Sequence, residues 1–291
     1  MNALVRRAAA LVPEWPMSVR VEDAALVLRF FYAGLLWLSA TLIYEMRNSY
    51  RTILVDADKA HWPAFWVPWA GAEKSFLIAS VALVASAFVA ALLPQRRWAR
   101  ALVCVALWEY VAVMITIGEL FPICHQWIVV AFIFALMPDR FAAPGASKES
   151  KDSALLLFWA AQAFFLLTYS MAGLSKFLTA AWQTAHGEPS IFTVKGCASM
   201  AADYIMEKGR LGPLGMPLRD AGLLPAFMFA GALAELGVLF LAFRARLHRA
   251  AGAAVVAFHV GTYLLMGIFF KSSVLLAGVL LLCSPFAPRD D

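Results

Sequence analysis

The chain has few charged residues for its length. Only 15% of its 291 residues are Asp, Glu, Lys or Arg, whereas 63% are hydrophobic. A soluble domain carries about 25% charged residues, so the composition excludes an ordinary soluble protein. The net charge of +5 is modest and no basic run belongs to an exposed domain, so we expect no nucleic acid as a partner.

Cysteine and the familiar catalytic motifs are scarce as well. The four cysteines show no Cys-x-x-Cys and no zinc spacing, and the five histidines lack the i, i+4 pairing of a helical metal site. We therefore expect no metal. A P-loop, a Gly-x-Ser-x-Gly motif and a dinucleotide fingerprint are also absent from the sequence. Cys124 and Cys197 fall on the same side of the topology derived below, where an oxidising compartment would allow them to pair.

Long apolar runs are what the sequence has in abundance. About 20 apolar residues in a helix cross roughly 30 Å of hydrocarbon. The sequence therefore predicts an all-α integral membrane protein: a bundle of about eight transmembrane helices, in a single domain over 1–291. The fourth and the last runs are short for a span. The eight runs are 24–44, 74–93, 99–118, 123–138, 153–178, 222–243, 250–269 and 271–287.

Basic residues in the loops predict the orientation. Short loops rich in Lys and Arg stay in the cytoplasm, and such loops follow the second, fourth and sixth runs. This pattern places both termini in the cytoplasm and the segments 45–73 and 179–221 outside. The basic residues are Arg96, Arg97 and Arg100; Arg140, Lys148 and Lys151; and Arg244, Arg246 and Arg249.

The stretch Tyr169–Trp182 closes an apolar run that carries no charge before Lys176. Small residues here, Gly173 among them, would let a neighbouring helix or a ligand approach the backbone closely. Two interpretations of Lys176 stay open. In one, it is an interface lysine whose amine reaches the head groups. In the other, an apolar pocket disfavours its ammonium form and leaves a free amine to act as a base.

Four further ionisable residues lie in or at the start of apolar runs. A charge within a span is costly and marks a candidate site, although each residue also fits a structural hydrogen bond between two helices. We expect Lys176 and His125 at the outer ends of their spans. Glu109, Glu235 and His259 are then expected about 10–15 Å deeper, at 1.5 Å per residue.

Three passages, taken in order, carry a family resemblance. The second contains Tyr-x-x-Ala-Gly-x-x-Lys, and the first has a histidine followed by Gln-Trp at a helix start. Together they resemble the transmembrane domain of vitamin K-dependent gamma-carboxylases, which is shared by bacterial proteins named for a horizontally transferred transmembrane (HTTM) domain. The passages are Ile123–Ile128 with Leu136–Arg140, then Tyr169–Trp182 followed by Gly187, then Glu235 with Arg244–Arg249, Phe258-His259 and Gly267–Phe269.

The resemblance implies a chemistry for these residues. Lys176 matches the family's catalytic base, His125 the histidine beside it, and His259 a histidine of a later helix that faces the same cavity. In the family, the base deprotonates a reduced quinone of the vitamin K or menaquinone type. Reaction with oxygen then yields a stronger base, which removes a proton from a glutamate side chain for carboxylation.

The same resemblance implies a setting for the protein. With His259, we expect Glu235, Tyr169 and Gly173 to line the quinone site. The protein would be a multi-pass protein of a bacterial inner membrane, with the lipid bilayer and an exported peptide or small molecule as partners. A non-catalytic accessory, maturation or immunity protein of the HTTM group is the alternative that stays open.

Overall fold

The computed structural model describes residues 21–46, 63–117, 122–209 and 211–286, and these residues form helices and turns without a strand. Two regions are helical but not α-helical: Val238–Phe243 form a 3-10 helix, and Gly278–Leu282 form a π-helix. The helices are α1 (Val21–Met46), α2 (Val67–Ala70), α3 (Ala72–Leu92), α4 (Arg97–Thr116), α5 (Pro122–Leu136), α6 (Lys148–Ala185), α7 (Val194–Lys208), α8 (Gly215–Asp220), α9 (Leu224–Gly237), α10 (His248–Met266) and α11 (Lys271–Ala277).

Six helices of the described chain are long and apolar enough to cross a membrane. The helices His125–Leu136 and Lys271–Leu282 are apolar but shorter, as the lengths of the fourth and last runs predicted. The prediction of an all-helical, multi-pass membrane protein is confirmed at this level. The six are Val21–Tyr44, Ala72–Leu92, Arg97–Thr116, Lys148–Ala185, Leu224–Phe243 and Ala245–Met266.

The fifth helix is much longer than its apolar run. The sequence predicts 153–178, whereas α6 has 38 residues and extends about 57 Å at 1.5 Å per residue. The prediction was wrong at both ends, because polar and charged residues such as Lys148 and Gln183 continue the helix outside the apolar part. Lys176 consequently lies nine residues before the end of α6 rather than two, about 14 Å from Ala185.

The chain divides into two compact units, one of residues 1–161 with 283–286 and the other chiefly of residues 162–282. In the first unit α1 packs on α3, α3 on α4, and α4 on α5. Its core is aromatic: the ring of Phe31 stacks on Trp127 at 4.9 Å and meets Phe134 edge-on at 5.0 Å.

A buried arginine on α4 binds the ends of two other helices in the first unit. Arg100 is fully buried and donates hydrogen bonds to four backbone carbonyls near the ends of α3 and α5. Cations stabilise such C-terminal carbonyls, which have no partner within their own helix. The expectation that Arg100 is a loop charge was wrong, because its guanidinium caps helices. The acceptors are the carbonyl oxygens of Pro94, Phe134, Met137 and Pro138.

Further contacts fix the connection between α3 and α4 against the one that follows α5. A carboxylate oxygen of Asp139 accepts from the backbone N–H of Arg97 at 2.8 Å, at the start of α4. The backbone N–H of Arg140 donates to the carbonyl of Gln95 at 2.9 Å. These bonds hold the turn before α4 in one conformation.

The segment between α6 and α9 contains a helix of 15 residues, α7. Helix α7 begins at Thr193, whose hydroxyl accepts from the N–H of Gly196, and ends at Gly209 in the left-handed conformation. Cys197 is a buried free thiol that donates to the carbonyl of Ile191. Burial raises the pKa of this thiol. The side chain of Cys124, its suggested partner, lies outside the described residues.

The start of α10 contains a buried histidine. His248 lies between the exposed residues Arg246 and Arg249 in the sequence, yet it is fully buried. Its Nε2 lies 3.2 Å from the carbonyl oxygen of Ala242 in the preceding 3-10 helix. The ring therefore packs inside the second unit and supports a helix end, a role that loop charge alone does not reveal.

The substitution Arg100→Leu should lower the free energy of unfolding by at least about 3 kcal/mol, because buried carbonyls would lose their donor. Reversible unfolding in mixed detergent micelles would measure the change. Arg97→Leu is the matched control: its side chain is exposed on the same helical turn, so we expect a change below about 0.5 kcal/mol. Equal losses in both variants would contradict the capping role.

Candidate functional site

An ion pair between two helices is the centre of the candidate site. The amine of Lys176 on α6 donates to Oε2 of Glu235 on α9, and both residues belong to the second unit. The carboxylate is buried with 7% of its side chain exposed, whereas 33% of the lysine side chain is exposed. The carboxylate of the pair is thus buried, whereas the lysine side chain remains partly accessible.

This contact corrects the expected depths. Lys176 was placed about 10–15 Å nearer the outer end than Glu235, which would keep the two apart. Their contact shows that the two residues lie at the same level along the helices α6 and α9. The lysine side chain also reaches along α6 toward α9.

A second polar pair lies beside the first. The hydroxyl of Tyr169 on α6 lies 2.5 Å from Nε2 of His259 on α10, and both side chains are buried. The other ring nitrogen, Nδ1 of His259, is buried without a hydrogen-bond partner in the described part of the chain. A buried imidazole nitrogen without a partner is costly, so it marks a place where a further polar group would be stabilised.

A small cavity is lined by one residue of each pair, Tyr169 and Glu235. Its volume is about 50 Å³, enough for a water molecule but too small for a two-ring quinone head group. Apart from Tyr169 and Glu235 its walls are apolar, and the ring of Phe258 also lies 5.7 Å from the amine of Lys176, where it attracts the cation. The lining residues are Tyr169, Ala234, Glu235, Val238, Ala254, Val255 and Phe258.

A serine fixes the backbone that carries Glu235. The hydroxyl of Ser170 donates to the carbonyl of Glu235 at 3.1 Å and accepts from the N–H of Leu239 at 3.1 Å. These two backbone groups pair with each other in a regular α-helix. The hydroxyl is inserted between them at the point where α9 gives way to the 3-10 helix, and an inserted side chain is a known cause of such changes.

A glycine allows α6 and α9 to approach closely enough for the pair to form. A Cβ on Gly173 would lie 2.5 Å from the backbone nitrogen of Leu236 and 2.7 Å from the carbonyl oxygen of Ala232. Only a residue without a side chain fits this contact. A neighbouring helix, rather than a ligand, therefore occupies the space beside Gly173.

The structure brings five of the six predicted site residues into the second unit. Lys176, Glu235, Tyr169 and His259 form the two pairs, and Gly173 supports them. His125 belongs to the first unit and lies exposed in the first turn of α5, so its place beside Lys176 stays a prediction.

The sequence left the role of Glu109 open, and it did not reveal the role of Ser170. Glu109 accepts a hydrogen bond from the indole of Trp66 at 2.5 Å, which is the structural interpretation left open for it. The insertion of Ser170 into the helix ladder was missed. A serine that follows Tyr169 within an apolar run was the available signal, because such hydroxyls bond to backbone groups.

Comparison of the chain with protein-family models, with curated proteins and with solved structures found no match.

The substitution Gly173→Ala should lower the free energy of unfolding by about 2 kcal/mol or more, because the new methyl group would overlap the backbone of α9. Gly261→Ala in α10 is the matched control. A Cβ there meets nothing within 4 Å, so the better helix former should be neutral or stabilising by up to about 1 kcal/mol. Thermal unfolding in detergent would compare the two, and a stable Gly173→Ala protein would exclude the close packing.

Proposed function

We propose that the chain is an integral membrane enzyme of the gamma-carboxylase-like HTTM group, with one membrane domain over 1–291. The two shorter apolar helices bring the number of spans to eight, and loop charges place both termini in the cytoplasm of a bacterium. The candidate site then opens toward the outer face of the inner membrane. Six long apolar helices and two shorter ones support this arrangement, and the motifs around Lys176 support the family.

The observation that carries the proposed chemistry is a partly exposed amine bound to a buried carboxylate. Passing one proton from Lys176 to Glu235 converts the ion pair into a neutral amine and a carboxylic acid. The amine of Lys176 would then accept a proton from a hydroxyl of a bound reduced quinone and hold it as an ammonium ion. Phe258 and Tyr169 line the cavity beside the carboxylate, and the ring of Phe258 also lies next to the amine.

The residues fit a reduced quinone chemically, but the cavity does not fit its rings. A naphthoquinol head group would therefore approach Lys176 from its exposed side, with Phe258 as an aromatic surface. The reduced quinone supplies the electrons that oxygen consumes when the epoxide and water form. The role of His125 rests on the resemblance alone, as does an exported peptide or small molecule as the group that is finally modified.

One observation favours a second candidate, a non-catalytic accessory, maturation or immunity protein. Lys176 and Glu235 already neutralise each other, so the pair also serves as a link between α6 and α9 without any chemistry. Polar side chains commonly join helices in this way within membranes.

Epoxide formation separates the two candidates. Purified protein in lipid would receive reduced naphthoquinone and oxygen, and quinone epoxide would be quantified. We expect epoxide from the wild type and a loss of about 100-fold or more in Lys176→Arg, because a guanidinium keeps the charge but cannot act as a base.

The matched control is Lys195→Arg, an exposed lysine in the same unit, which should leave epoxide formation unchanged. Full activity of Lys176→Arg would contradict a catalytic role for the lysine. If the folded wild type neither forms epoxide nor binds the quinone, the accessory function is correct.

A further inference from the structure

An arginine lies within the first span without a protein partner among the described residues. Arg29 follows the start of α1 by eight residues, about 12 Å along the axis at 1.5 Å per residue. Its side chain is exposed, and no carboxylate of the described chain lies within ion-pair distance of it. A charge at this depth is costly unless its side chain reaches the membrane surface or finds a counter-ion.

Arg29 lines a groove of about 180 Å³ in the first unit. Two other polar side chains, Glu22 and Gln95, share the groove, and its remaining walls are apolar. The groove is thus apolar with a few polar groups at fixed places, the general character of a small-molecule site. The lining residues are Glu22, Ala25, Leu26, Arg29, Pro94, Gln95 and Ala142.

One wall of this groove is held in place by hydrogen bonds described above. The carbonyl of Pro94 accepts from the guanidinium of Arg100, and the carbonyl of Gln95 accepts from the N–H of Arg140. A wall that is fixed in this way does not have to become ordered when a ligand binds, which favours binding.

The two charges of the groove lie at different depths. Glu22 and Arg29 are seven residues apart on one face of α1, about 10 Å along the axis. Glu22 is nearer the helix start and therefore nearer the membrane surface. A guanidinium binds phosphate oxygens in a bidentate manner, whereas the carboxylate of Glu22 attracts a cation and repels additional negative charge.

We propose that this groove binds the head group of a phospholipid that carries a primary ammonium. Arg29 and Gln95 hold the phosphate, Glu22 holds the ammonium, and the acyl chains continue deeper along the exposed side chains of Phe30 and Trp37. The order of charges matches such a lipid, whose phosphate lies next to the hydrocarbon and whose ammonium lies beyond it. The groove is separate from the residues of the proposed quinol chemistry, and the inference stands independently of that function.

Native mass spectrometry of the full-length wild type would test the head group. The probes are phosphatidylethanolamine, its N-methylated derivatives up to phosphatidylcholine, and phosphatidylglycerol, all with the same acyl chains. We expect affinity to fall at least about fivefold on full methylation, because the ammonium loses its hydrogen bonds to Glu22. Equal affinity for the ethanolamine and choline lipids, or tighter binding of phosphatidylglycerol, would overturn the proposal. So would displacement of the lipid by millimolar inorganic phosphate.

Three variants locate the site. Arg29→Gln should weaken phosphatidylethanolamine binding about tenfold or more, through loss of a charge-assisted contact to phosphate. Glu22→Gln should bind the ethanolamine and choline lipids equally well. Arg249→Gln removes an exposed arginine elsewhere and should bind like the wild type. The proposal is wrong if Arg29→Gln and Arg249→Gln, both folded by circular dichroism, show the same affinity.

Discussion

The buried carboxylate of Glu235 is the constraint around which the second unit is arranged. A carboxylate that is 93% removed from solvent within an apolar bundle requires a partner, and Lys176 supplies it. The surrounding structure serves this contact: Gly173 lets the backbones meet, and the hydroxyl of Ser170 holds the turn that carries Glu235. The inserted hydroxyl of Ser170 lies where α9 changes its helical form, and the ion pair supplies the charged groups of the site.

The two units use buried charge in different ways. In the first, Arg100 finds four carbonyl acceptors at helix ends, so its hydrogen-bonding groups are directed at fixed backbone atoms. In the second, the carboxylate of Glu235 lines a small cavity, the lysine stays partly exposed, and Nδ1 of His259 has no partner among the described residues. A fully satisfied network stabilises a fold, whereas an incompletely satisfied one beside a cavity is typical of a site.

The apolar runs predicted the positions of the long helices well, because hydrocarbon thickness sets the length of a span. The sequence pattern failed for side chains that are buried because they bind backbone groups at helix ends. Arg100 and His248 look like loop charges, yet both are buried against helix ends. An interface position for Lys176 was left open because the apolar run ends at residue 178. The helix itself continues to Ala185. Lys176 and Glu235 are 59 positions apart in the sequence. Their pairing depends on the close packing of two helices at Gly173, which the spacing of residues in the sequence does not predict.

The most direct test of a reactive rather than structural pair is the unfolding free energy of Lys176→Met/Glu235→Met beside both single variants. Buried ion pairs add little net stability over apolar residues of similar size, whereas removing one partner costs about 3–5 kcal/mol. We therefore expect Lys176→Met alone to lose about that amount and the double variant to lie within about 1 kcal/mol of the wild type. That result would mean that stability does not require the pair. A double variant as unstable as the single ones would contradict this account and make the pair a structural link.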